Sequence, residues 1–221
     1  MKITLTRVLL LPIGFTISLI LFRVFYSGSL MYLFFVWNLF LAAIPFGLSS
    51  FLIKSQEKKL HWLLFITWIL FFPNALYIIT DLVHLKERNN IPLWFDVILI
   101  FSAAANGLIM AFVSLYQVEL FLRLRVNSKK ANLILYSCLF ISSFGVYVGR
   151  FLRWNSWDIF FNPFQFIFEI LQPFINPFQH PRTWGMTIIF FIFFGIFYFI
   201  IKKLPGLIIK PGNQLLRESN N

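Results

Sequence analysis

Four polar side chains at helical spacing raise the question of chemistry in this chain. They are Asn74, Tyr77, Asp81 and His84, three, four and three residues apart. Continued as a helix, that spacing puts all four on one face. A carboxylate, an imidazole, a phenol and an amide can together move protons, orient a substrate or contribute metal ligands. The residues stand where an apolar segment ends, and polar groups in or near lipid have either partners or a task. Asp96 follows on the next segment. A second constellation, Arg150-Phe151-Leu152-Arg153-Trp154-Asn155-Ser156-Trp157-Asp158, holds two guanidinium groups three residues apart. Arginine forks suit phosphate or carboxylate, and tryptophans suit the headgroup layer of a bilayer.

These residues divide by chemistry. Asp81, His84 and Asp96 are the candidate acid, base or metal ligands. Asn74 and Tyr77 are candidates for orienting a ligand. Arg150, Arg153, Trp154, Asn155, Trp157 and Asp158 are candidates for holding an anion or headgroup. Each has a plainer alternative. Pro73 frees the carbonyl of Ile69, which Asn74 could satisfy. The arginines could pair with Asp81, Asp96 or Asp158, and His84 could bond a carbonyl. Asp158 and His180 could approach the cluster from the loop, but Asp-x-x-His is a weak metal pattern, and no metal site is assigned. No cofactor is indicated, and neither a phosphate-binding glycine loop nor a GxSxG elbow occurs.

The elements that must position these groups are membrane spans. The 221 residues are 59% hydrophobic and 12% charged, with mean hydropathy +0.80. The apolar residues come in blocks near the ~20 residues a helix needs to cross a bilayer. The expected fold is all-α, a polytopic transmembrane bundle forming one domain over 1–221. About six spans are expected, near 8–26, 30–53, 60–79, 93–122, 133–151 and 184–201. Arg23 is expected to snorkel from the first span to the interface, and Pro45 to kink the second. A retained first span fits the N-terminus better than a cleaved signal, because no small-residue cleavage site follows it. The lone Cys138 excludes an intramolecular disulfide.

Net charge is +11. With so little chain outside the apolar blocks, no basic face can hold a duplex, so nucleic acid is not an expected partner. Membrane lipid is, and no protein partner is identified. Lys and Arg mark cytoplasmic loops. Of the 19 basic residues, 13 fall on the side of the two termini. Both termini are therefore expected in the cytoplasm of a plasma-membrane protein, with the polar clusters facing outward.

The loop 152–183 is the only long one, followed after the sixth span by a tail, 202–221. The loop repeats Asn-Pro-Phe-Gln at 162 and 176, and it carries prolines at 163, 173, 177 and 181. These forbid one long helix. A short interfacial helix, or a re-entrant hairpin, is expected there, with Asn162 as cap and Pro163 first. Ser142, Gly145 and Gly149 form a small-residue stripe, as do Ser102 to Gly107, so spans four and five are expected to touch there. Asp96, Ala103, Gly107 and Ser114 share one face of span four, flanked by Asn106 and Gln117.

The run from Phe72 through Leu85, the triplet Trp94-Phe95-Asp96 and the run Gly149 to Asp158 together resemble a bacterial membrane family catalogued as domain of unknown function 1361. The resemblance covers about 34–201. The family has Pro where Leu76 stands and Tyr where Phe95 stands. It implies a multi-span bacterial plasma-membrane protein and no particular activity.

Three functions fit these residues. One is binding or processing of a phosphate-bearing lipid or lipid-linked substrate at the outer cluster. The second is a small transporter or permease component using the Asn106, Ser114 and Gln117 face, with Glu119 ending the path. The third is a non-catalytic assembly, receptor or immunity-type protein contacting others through the loop.

Overall fold

The computed structural model describes residues 5–55, 57–86, 91–154 and 161–218. Among them are seven α-helices and no strand ladder. Helix α1 is Leu5–Ser27, α2 Phe34–Lys54, α3 Lys58–Tyr77, α4 Leu93–Arg123 and α5 Ser128–Tyr147. Helix α6 is Pro163–Ile175 and α7 is Pro181–Glu218. A 3-10 turn, Leu30–Leu33, leads into α2, and a longer one, Ile78–His84, continues α3. A π-helical turn, Val148–Leu152, ends α5. Six helices are long and apolar enough to cross a membrane, and the protein is an all-α, membrane-embedded multi-pass bundle.

Span five begins five residues earlier than its apolar run suggests. Asn127 explains this: its side chain accepts from the Lys130 N–H at 2.9 Å and starts the helix across three polar residues. The sixth span, α7, runs on as backbone helix through Glu218, past the expected end at 201. In the loop, both Asn-Pro steps start a helical turn, at Pro163 and at Pro177. Pro163 is the first helical residue as expected, but the Asn162 side chain makes no cap bond. Helix α6 is amphipathic, exposing Phe164 and Phe168 while Pro173 is buried.

Helix α4 is the axis of the bundle. It buries Asp96, Ala103, Gly107 and Ser114 on the face read from the sequence. Its polar residues are committed to neighbouring helices. Asn106 donates to the Pro12 carbonyl at 3.1 Å and to Thr16 at 2.8 Å on α1. Ser114 donates to the Pro45 carbonyl at 2.9 Å and accepts from Trp68 Nε1 at 2.7 Å. Gln117 accepts from Ser49 at 2.6 Å. In lipid such groups have no water to fall back on, so these bonds hold four helices in register.

The small-residue stripes do different work from that expected. Spans four and five touch, but their glycines receive the broken end of α3. A Cβ on Gly145 would lie 2.7 Å from Pro73 Cγ, and one on Gly107 would overlap the Ile78 side chain. Gly149 packs on the Tyr77 ring. The proline and the 3-10 turn make α3 irregular and bulky there, and only glycine lets two helices close on it.

Gly107→Ala should therefore destabilise the protein by about 1–3 kcal/mol, the usual cost of overpacking. Gly47→Ala, with nothing within 4 Å of the added atom, should be neutral or gain up to ~1 kcal/mol of helix propensity. Thermal unfolding of the two variants in the same detergent measures the contrast.

Candidate functional site

The break in α3 builds the site. Pro73 removes one backbone donor, and the Asn74 side chain donates to the Phe71 carbonyl at 3.1 Å. Past Tyr77 the helix tightens to 3-10, in which residues three apart eclipse. Asp81 and His84 thus stand one above the other, 3.9 Å apart.

Arg150 reaches this face from the π turn. Its Nη1 lies 3.4 Å from the Tyr77 hydroxyl, 3.3 Å from Asp81 Oδ1 and 3.2 Å from His84 Nε2. Asp81 is 1% exposed, and its second oxygen accepts from Asn38 Nδ2 on α2 at 2.7 Å. The structure therefore gathers Tyr77, Asp81, His84 and Arg150. Among the described residues Nε and Nη2 have no hydrogen-bond partner.

Several expected members lie elsewhere. Asp96 is not beside Asp81. It is buried with Arg23, which bonds it in bidentate fashion at 2.7 and 3.2 Å, and with the Tyr32 hydroxyl at 2.7 Å. Arg23 is 3% exposed and sits over the Tyr32 ring, so it does not snorkel to an interface. A buried carboxylate on the next helix outcompetes the headgroup layer for it. Arg153 does not follow Arg150 on a continuing helix. Spacing by three assumes a continuing α-helix, but the turn widens to π and stops at Arg153, whose backbone is left-handed at φ 60°. Its side chain is exposed. Trp154 is half-buried, its Nε1 donating to Glu169 on α6 at 2.7 Å. Asn155, Trp157 and Asp158 lie outside the described residues. His180 precedes α7, where its carbonyl accepts from the Trp184 N–H at 3.3 Å. Among the described residues no group of three His, Cys, Asp or Glu could hold a metal.

Sequence reasoning missed Asn38 and Tyr32, and it assigned Arg23 to the interface and not to Asp96. A lone amide inside an apolar span was the signal for Asn38. At the far end of α4, Glu119 is likewise enclosed, by Arg123 at 2.6 Å and by Tyr198 and Lys202 of α7.

Two apolar grooves border the cluster. One, about 330 Å³, is lined by Thr80, Arg150, Phe151 and the α7 residues Met186 and Phe190. The other, about 280 Å³, is lined by Pro73, Tyr77, Gly149 and the α6 residues Phe166 and Ile170.

A multi-pass membrane protein with a buried carboxylate–guanidinium cluster at one end of the bundle is the class these features define. Within it the chain belongs to the family whose model is described as Protein of unknown function (DUF1361), which matches residues 37–197. The match takes in Asn38, Asp81 and Arg150. No curated protein and no solved structure matches the chain.

Arg23→Ala should strand Asp96 as an uncompensated buried charge and cost about 3–5 kcal/mol. Pairing it as Arg23→Met with Asp96→Leu should recover most of that loss, because both charges go together. Unfolding midpoints of single and double variants check both statements.

Proposed function

We propose that this protein binds a phosphate-bearing lipid or lipid-linked substrate at the Asp81–Arg150 cluster. The observation that carries the reading is the unused edge of the Arg150 fork. Asp81, Tyr77 and His84 all engage Nη1 and fix the guanidinium plane. Among the described residues the Nε and Nη2 donors have no partner, and such an edge accommodates two oxygens of one phosphate side by side. Asp81 and Asn38 then act as the support that aims the fork, with His84 beside it as a half-exposed imidazole. The groove of about 330 Å³ that Arg150 lines is almost wholly apolar. An anion position opening onto an apolar groove inside a bilayer is suited to an amphiphile.

The reading places the chain as one membrane domain in a bacterial plasma membrane. The excess of Lys and Arg on the side of the termini puts both in the cytoplasm and the cluster outside. Exposed Arg153 adds a second positive charge near the headgroups, and the apolar face of α6 lies in the same interface. Membrane lipid is the partner. The commitment of Asn106, Ser114 and Gln117 to bonds between helices weighs against a polar transport path along α4.

Native mass spectrometry of gently extracted protein supplied with dioleoyl phosphatidic acid or with inorganic phosphate tests the reading. Arg150→Lys keeps the charge and loses the fork. It should cut the lipid adduct about tenfold, as expected for losing one charge-assisted bond. The neutral pair Asp81→Asn with Arg150→Gln should fold and hold no adduct. Retention of lipid by both variants would contradict the reading, and binding of phosphate alone would assign the site to a free anion.

A further inference from the structure

The crossing of α3 and its 3-10 continuation over α5 and its π turn is closed at two glycines, Gly145 against Pro73 and Gly149 against Tyr77. Each apolar groove beside it is lined by both crossing elements. Ile79 and Thr80 face Arg150 and Phe151 in one, while Pro73 and Tyr77 face Val148 and Gly149 in the other. Consecutive residues of a single π turn, Gly149 and Arg150, thus belong to different grooves. Tyr77, which lies 3.4 Å from Arg150 Nη1, lines the second groove. Arg150 thus lines the first groove and touches the hydroxyl of a residue that lines the second. The groove volumes, about 330 and 280 Å³, are comparable.

Different helices complete the two grooves. Helix α7 closes the first with Met186, Ile189 and Phe190. Helix α6 closes the second with Phe166 and Ile170, and the Trp154–Glu169 hydrogen bond fastens α6 over it.

Resting on the reading that Arg150 takes a phosphate-bearing lipid, we infer that the ligand has two hydrocarbon chains and straddles this crossing. Its phosphate meets the Nε/Nη2 edge of Arg150, and one chain enters each groove. A one-chain lipid fills only one groove. A second chain tethered to the same headgroup is delivered to the other groove at high effective concentration, so the two sites add their affinities. The chemical class is a diacyl phosphate lipid, selected over single-chain phosphates, including polyprenyl ones.

Full-length protein in detergent is titrated with dioleoyl phosphatidic acid and with oleoyl lysophosphatidic acid, followed by native mass spectrometry. Dioleoylglycerol and mono-oleoylglycerol serve as the uncharged references for partitioning. Two substitutions fill the grooves from positions that are not fully buried: Ile189→Trp, 66% exposed, in the first, and Ile170→Trp in the second. The diacyl phosphate should bind at least tenfold tighter than the single-chain one after correction by the neutral pair. Each Trp variant should bring it down to the single-chain level, whereas single-chain binding should fall in at most one variant. Equal binding of the two phosphates in wild type, or a diacyl preference unchanged by both substitutions, would overturn the inference and leave the phosphate reading standing. Failure of either phosphate to exceed its neutral reference, together with no effect of Arg150→Lys, would overturn the phosphate reading and this inference with it.

Discussion

The bundle depends on placing carboxylates where there is little water. Asp81 and Asp96 are buried near one end, and Glu119 is buried near the other, each 1% exposed. A buried charge is tolerable only when its partners come with it, and here the partners arrive from different helices. Asp96 holds α1 through Arg23 and the first 3-10 turn through Tyr32. Asp81 holds α2 through Asn38 and the end of α5 through Arg150. Glu119 holds α7 through Tyr198 and Lys202. Apolar packing alone gives weak specificity between helices in lipid, because the tails are as apolar as the side chains. Three acids, each recruiting other elements, fix which helices are neighbours and at what height.

The three clusters differ in one respect that bears on function. Arg23 gives two nitrogens to the two oxygens of Asp96, a fork-to-fork pair. Arg123 is shared between Glu119, Ser128 and Asn132, so all three of its nitrogens are engaged. Among the described residues Arg150 has one nitrogen serving three acceptors and two serving none. The first two arrangements are finished as structure. The third is the one beside apolar grooves, and it is the one the proposed ligand would complete.

The sequence carried most of the architecture, because span length and hydropathy follow directly from bilayer thickness. The face shared by Asp81 and His84 was also legible, since their i, i+3 relation survives the change from α to 3-10. What it could not convey was pairing across distance. Asp81 and Asp96 are both acids near one membrane end, and nothing in their spacing says that one faces Arg150 and the other Arg23. The stop at Arg153 was hidden for a related reason. The residue types there read as an ordinary helix and do not announce the π turn or the left-handed residue. The glycine stripes were recognisable as sites of close approach, but a third helix, kinked by Pro73, was the partner.

The central claim is that the free edge of the Arg150 guanidinium meets a lipid phosphate. The most direct measurement is nitrogen–phosphorus dipolar recoupling by solid-state NMR, on arginine-labelled protein in bilayers of a phosphate lipid. The account predicts dephasing of a guanidinium signal, assigned to Arg150 by its disappearance in Arg150→Lys. The affected nitrogens should be Nε and Nη2, with Nη1 spared because Asp81 holds it. An Arg150 signal that shows no phosphorus contact while Arg153 does would contradict the account, leaving the cluster as a buried structural pair and headgroup contact as a property of the surface.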